Sequence, residues 1–157
     1  RWGNRQAEIL GVKLIDPSGQ PCDSIYHDEI VTLRVSAQFH RPFDRPLIGF
    51  ILRNRLGEDI CGINSSAQGV VLPPAAAEQV CTVDFTLKIP PLHPGNYHFT
   101  VAVGNGTHED YSTCDFVENV ISLTIQQRHL IYGYMKFDCA IHLKYIGPSP
   151  GTRSGPA

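Results

Sequence analysis

The stretch IVTLRVSAQF, residues 30–39, decides the fold class of this chain. Its apolar side chains stand at every second position, so one alternate set faces a core and the other faces away. The stretches VCTVDFTLKI (80–89) and YHFTVAV (97–103) repeat this pattern, which points Phe99 inward and His98 outward. A period of two over stretches of this length predicts half-buried β-strands.

Further strands are predicted on both sides of these stretches, with turn residues between them. They are expected at 7–15, 47–54, 60–64, 111–116, 120–125 and 130–145, the last interrupted at Gly133. Pro90-Pro91 and Pro94-Gly95 favour turns over helices, and Asn105-Gly106 between two apolar runs predicts a hairpin. Short strands at this spacing predict an all-β fold, an antiparallel immunoglobulin-like or jelly-roll β-sandwich over residues 1–146. Residues 147–157, rich in proline and glycine, are expected to form a disordered tail.

The composition excludes several classes of protein. A hydrophobic fraction of 42% and a charged fraction of 18% are typical of a globular domain, and the net charge of −2 gives no electrostatic reason to expect nucleic acid as a partner. No apolar run approaches the roughly 20 residues that would cross a bilayer, so no direct membrane insertion is predicted. The first residue is Arg1 rather than methionine. We therefore expect the chain to be a fragment of a longer protein.

The sequence offers no set of residues for catalysis, a metal or a cofactor. The five cysteines are widely spread with no C-x-x-C pair, which predicts reduced thiols and a cytoplasmic location rather than disulfides or a zinc site. The histidines lack metal-ligand spacing, and no phosphate-binding G-x-x-x-x-G-K-[ST] loop occurs. The segment GPSPG (147–151) matches a hydrolase motif, but prolines on both sides of Ser149 cannot build the strained turn that the motif needs. The chain is predicted not to be an enzyme.

One predicted sheet face has an unusual composition. In immunoglobulin order the strands at 47–54 and 97–103 are neighbours, and their outward side chains are small or apolar with a few hydrogen-bonding groups at one end. These outward residues are Gly49, Ile51, Arg53, His98, Thr100, Ala102 and Gly104. Such a face needs a cover, which could be another strand, another protomer or an extended ligand.

The segment 130–145, LIYGYMKFDCAIHLKY, is a candidate for that cover. Tyr132 and Tyr134 carry polar groups on large apolar rings, and such side chains stack on sugar rings while they hydrogen-bond hydroxyls. The same residues would equally suit the rim of an ordinary edge strand. Both interpretations remain open at this point.

Three stretches resemble one known family. They are the opening Arg1-Trp2-Gly3 followed by VKLIDPSG from Val12, the run from Ile48 to Ser65, and LHPGNY at 92–97. In their order and spacing, the chain from Arg1 to Tyr145 resembles the C-terminal domain of the ATPase subunit of O-antigen (lipopolysaccharide) ABC transporters of the Wzt type. Gly49, Arg53 and Asn64 occupy family-like positions.

The resemblance implies a function. Such a domain recognises the non-reducing end of a lipid-linked O-antigen polysaccharide and selects it for export. It tends to form a homodimer with an exchanged C-terminal strand. The parent protein would pair with a transmembrane permease at the cytoplasmic face of the inner membrane, and its N-terminal part would be an ATPase.

We therefore expect a non-catalytic carbohydrate-binding module, with an immunoglobulin-like interaction or structural domain as the alternative. The candidate sugar-binding residues are Gly49, Arg53, Asn64, His98, Thr100, Tyr132 and Tyr134.

Overall fold

The computed structural model describes residues 1–151, which form eight β-strands. This part of the chain contains no helix long and apolar enough to cross a membrane. The strands are β1 (Ala7–Ile15), β2 (Ser24–Tyr26), β3 (Ile30–Phe39), β4 (Pro46–Arg53), β5 (Asp59–Asn64), β6 (Val80–Lys88), β7 (Gly95–Gly106) and β8 (Tyr111–Gln126). They build one sheet in the order β1-β3-β6 and a second in the order β2-β8-β7-β4-β5. The predicted all-β sandwich is confirmed.

The core lies between the two sheets, where the alternating apolar residues meet. The inward residues of β3 are fully buried from Val31 to Phe39, and Phe99 on β7 is equally buried, as predicted. The ring of Phe50 joins the sheets, since its centroid lies 5.2 Å from that of Phe85 and 5.5 Å from that of Phe99. This packing fixes which face of the five-stranded sheet is turned outward.

The predicted hairpin after β7 exists, but its turn lies further along the chain. Strand β7 runs through Gly106, and the turn is closed by the Thr107 N–H, which donates to the Asp110 carbonyl oxygen at 2.9 Å. Gly106 is needed for a close approach instead, because a Cβ there would lie 2.3 Å from the same carbonyl oxygen. The two strands predicted at 111–116 and 120–125 are one strand, β8, irregular near Asn119.

The strand predicted at 130–145 is wrong for the single chain. Leu92 and Met135 form an isolated bridge, and residues 136–151 contain no strand. The sequence alternates as a strand does, but a strand also needs backbone hydrogen bonds to a neighbouring strand, and within residues 1–151 the segment after Lys136 makes none. We call residues 137–151 the C-terminal arm; its large apolar side chains are exposed, with Ile141 at 87%. Of the predicted disordered tail, residues 147–151 are exposed and without regular structure, and 152–157 lie outside the described residues.

Candidate functional site

A groove of about 340 Å³ lies on the outer face of the five-stranded sheet. Gly49 on β4 stands opposite Ala102 on β7, so small residues form its floor, and Asn64 lies beside Gly49 on β5. This volume is at the lower end of the range of about 300–1,000 Å³ that is typical of small-molecule sites. The face singled out from the sequence is therefore concave.

Glycines in the floor of the groove allow neighbouring strands to pack closely. A Cβ at Gly49 would lie 2.7 Å from both the Asn64 Cβ and the Ile63 carbonyl oxygen, so β5 can approach β4 closely only with glycine there. Gly104 is constrained in the same way by the Ser112 carbonyl oxygen, at 2.7 Å. Gly62, which also lines the groove, has open space where a side chain would stand.

One wall of the groove is aromatic. Trp2, Tyr111 and Phe116 line it, and the Trp2 ring stacks on the Phe116 ring with centroids 5.0 Å apart and planes 29° apart. The backbone holds this pair, because the Trp2 N–H donates to the Phe116 carbonyl oxygen at 3.1 Å and the Phe116 N–H donates back at 2.7 Å. Trp2 remains 55% exposed. Its ring is therefore available to a ligand.

Buried charge and close packing fix the N-terminal segment that carries Trp2. Asp115 on β8 is fully buried and accepts hydrogen bonds from the Arg1 guanidinium and from the Ile9 N–H. Burial alone would raise the pKa of Asp115, but these hydrogen bonds outweigh it and the pKa is lowered. Gly3 packs so tightly that a Cβ would lie 2.2 Å from the Cys114 carbonyl oxygen.

The opposite wall offers a hydrogen-bond donor. The Asn64 Oδ1 accepts the Ala67 N–H at 2.7 Å, which orients the amide group. Among the described residues the Asn64 Nδ2 has no acceptor. The amide can therefore donate to a ligand that enters the groove.

Of the residues predicted from the sequence, Gly49, Asn64 and Thr100 line the groove together. Arg53 and His98 form the next outward pair of the β4–β7 ladder, beyond Ile51 and Thr100. His98 Nδ1 lies 2.8 Å from the Ser122 hydroxyl. These two residues therefore extend the face past one end of the groove.

Arg53 is tied to its neighbours. Its Nε donates to Asp59 at 2.7 Å and its Nη1 to Glu118 at 3.0 Å, which links β4 to β5 and to β8. The hydrogen bonds to Asp59 and then to Glu118 raise the pKa of Arg53. With 18% of its side chain exposed, Arg53 presents a paired charge rather than a free one.

The structure places the two predicted tyrosines away from the groove. Tyr134 lines a second cavity of about 270 Å³ together with Tyr97, the loop at 54–56 and residues 93–96, where β7 begins. We call this cavity the tyrosine cleft. The Tyr134 hydroxyl donates to Glu58 at 2.9 Å, and Asn54 and then Tyr134 lower the pKa of Glu58 by hydrogen bonding to it. Tyr132 is 80% exposed and lines neither cavity.

The aromatic wall is the part of the site that sequence reasoning missed. Trp2 stands outside every predicted strand, and Tyr111 and Phe116 are the first and last residues of the strand expected at 111–116. The available signal was Trp2 itself, the single tryptophan of the chain, next to a glycine. No group of three or more metal-ligating side chains occurs within residues 1–151.

Comparison with known proteins identifies one family. The sequence model of the Wzt C-terminal domain matches residues 1–137. A crystal structure of the C-terminal domain of wzt superimposes with a TM-score of 0.82 at 18% identity, over 91% of this chain and 87% of that one. A Niemann-Pick type C2 protein from Japanese carpenter ant has a TM-score of 0.51 at 11% identity, over 79% of this chain and 96% of that one. At these sequence identities, the two structural similarities show a shared fold alone. No curated protein sequence matches.

Proposed function

Given that this chain belongs to the Wzt C-terminal domain family, we propose that it recognises the non-reducing end of a lipid-linked O-antigen polysaccharide. Family membership implies a non-catalytic carbohydrate-binding role in O-antigen transport. The observation that carries the more specific proposal is the groove, with its aromatic wall, small-residue floor and unpaired amide donor. A groove of this size suits the end of a chain better than a long run of repeats.

Each wall has a distinct role in the proposed complex. The rings of Trp2 and Tyr111 stack on the C–H face of a pyranose, while the floor at Gly49 and Ala102 admits its edge. Asn64 donates a hydrogen bond to a hydroxyl or ring oxygen. Arg53 and His98 contact the following sugar residues along the face.

The C-terminal arm supports a homodimer. Phe137, Ile141, Leu143 and Tyr145 alternate with polar residues but are all exposed in the single chain. An unpaired apolar strand pattern is completed when it adds to the sheet of another molecule. We propose that the arm is exchanged between two protomers. Two groove sites in one dimer would raise the effective affinity for polysaccharide through avidity.

The family also suggests where the domain works. We propose that the parent protein carries an ATPase in its N-terminal part and pairs with a transmembrane permease. The domain would then lie in the cytoplasm, at the inner face of the inner membrane. Polysaccharide selection would thus precede export.

Filling the groove tests the proposed function. Gly62→Leu places a side chain into open space within the groove, and Gly11→Leu does the same on the edge strand β1, outside the groove. We expect Gly62→Leu to weaken binding of O-polysaccharide at least about ten-fold by calorimetry. Gly11→Leu should bind as the unmodified chain does, and both variants should unfold cooperatively.

Unchanged binding by the folded Gly62→Leu variant would place the sugar elsewhere. Tyr134→Ala would then be the variant to measure, because Tyr134 lines the tyrosine cleft. Failure of the unmodified chain to bind any O-polysaccharide would favour an interaction domain instead.

A further inference from the structure

Among residues 1–151, the groove lining carries no charged side chain. Its residues include no aspartate, glutamate, lysine, arginine or histidine. The polar side chains that line it are those of Asn64, Thr100, Thr113 and Tyr111, together with the Trp2 indole. An anion bound there would lose water without gaining a counter-charge.

Three basic residues near the groove already have partners. Arg1 precedes Trp2 and is bound to Asp115, and Arg53 follows Ile51 on the same face and is bound to Asp59 and Glu118. His108, beyond the β7 end, is hydrogen-bonded to Ser66 at 3.0 Å. None of these groups is placed as a spare cation for an acidic sugar.

One polar group of the floor is also occupied. The Thr100 hydroxyl oxygen accepts the Asn119 N–H at 3.1 Å and lies 3.5 Å from the Arg53 Nη1. The floor therefore presents mainly Ala102, Gly49 and Ile51 to a ligand. A sugar edge that lies on such a floor gains more from a methyl group than from a hydroxyl group.

We propose that the groove selects an uncharged sugar with an apolar edge, namely a 6-deoxyhexose, over its hydroxymethyl and carboxylate counterparts. This inference rests on the proposed function, because it names the class of sugar for the same groove. The carbon-six methyl lies on the floor at Ala102, the pyranose face lies on Trp2, and Asn64 Nδ2 donates to a ring hydroxyl. Arg45, which precedes β4 and does not line the groove, takes no part.

A matched series of sugars isolates the group at carbon six. Methyl glycosides of D-fucose, D-galactose and D-galacturonate differ only there, as do those of D-quinovose, D-glucose and D-glucuronate, and those of D-rhamnose, D-mannose and D-mannuronate. The single tryptophan of the chain lines the groove, so its emission reports binding at this place. Trp2→Phe is the control, because it should remove the signal without changing the fold.

We expect the methyl member of whichever series binds to be about three- to ten-fold tighter than the hydroxymethyl member. The carboxylate member should be the weakest, and the order should not change with salt. A carboxylate that binds most tightly, with an affinity that falls as salt rises, would overturn the inference and point to Arg45. If no glycoside binds but an O-polysaccharide still changes the emission, the inference fails and the proposed function stands; if neither binds, both fail.

Discussion

Asp115 and Arg1 form a two-point ion pair between β8 and the segment that precedes β1. Arg1 donates from Nε to Oδ1 at 3.0 Å and from Nη2 to Oδ2 at 2.6 Å, and the Asp115 carboxylate is fully buried. The pair fixes the segment that brings Trp2 to the groove. Arg34 holds Asp84 with the same pairs of atoms, at 2.8 and 2.9 Å, on the exposed face of the other sheet.

These two pairs provide a matched stability test. Asp115→Asn should reduce the free energy of unfolding by about 1–3 kcal/mol, because the buried Ile9 N–H and the half-exposed Arg1 guanidinium lose a charged acceptor. Asp84→Asn should cost no more than about 1 kcal/mol, since exposed ion pairs are screened by water. Denaturant unfolding of both variants measures the difference. Equal losses would contradict the structural role of the buried pair.

Acid should remove the contribution of Asp115. Its pKa is lowered in the folded chain, so its stabilisation is complete above the unfolded value of about 4 and is lost as the pH falls through the folded value. The stability difference between the unmodified chain and Asp115→Asn should therefore be largest near neutral pH and shrink on acidification. The other carboxylates are the same in both proteins, so their contributions to the stability difference cancel. A difference that stays constant into strong acid would contradict the assigned pKa direction.

Adjacent residues on β7 test the register. Phe99→Ala should cost about 3–5 kcal/mol, because its ring is fully buried against Phe50. His98→Ala should reduce the free energy of unfolding by at most about 1 kcal/mol, because it removes only one hydrogen bond, the one with the Ser122 hydroxyl. Thermal unfolding and polysaccharide binding should be measured together. His98→Ala should weaken polysaccharide binding about ten-fold or more. A Phe99→Ala variant as stable as the unmodified chain would mean that the inward and outward faces of β7 are assigned the wrong way round.

Local alternation was sufficient to predict the sandwich and the outward direction of Thr100, whereas the placement of Gly49 also required the immunoglobulin strand order and that of Asn64 the family resemblance. Thr100 lies on β7, where apolar residues repeat with a period of two, so its face follows from its neighbours. Strands β4 and β5, which carry Gly49 and Asn64, do not alternate in this way. Trp2 could not be predicted to lie in the site, because it reaches Phe116 through backbone hydrogen bonds that span most of the chain. The position of Tyr134 could not be predicted for the same reason. Its carbonyl oxygen accepts the His93 N–H at 2.8 Å, and this long-range hydrogen bond holds the residue at the tyrosine cleft.

The C-terminal arm shows what an alternating sequence pattern cannot predict. Residues 137–145 follow a strand pattern, but the pattern specifies side-chain direction and not the partner strand. In a single chain the arm is therefore exposed. Whether a second molecule supplies the partner is a question of oligomeric state.

Truncation of the arm tests the proposed dimer. A chain that ends at Lys136 keeps the Leu92–Met135 bridge, and we expect light scattering to find it monomeric. The full chain and a chain that ends at Gly151 should both be dimers, because both keep the arm. A monomeric full chain, or a dimer that persists without the arm, would contradict the exchange.

Binding to a polysaccharide with and without its terminal residue tests the central claim most directly. Calorimetry would compare the intact O-polysaccharide of the organism that encodes the chain with the same polymer after enzymatic removal of its non-reducing terminal residue. We expect saturable binding of the intact polymer and at least about hundred-fold weaker binding of the trimmed polymer, because the groove holds the chain end. Equal affinity for both polymers would contradict recognition of the non-reducing end.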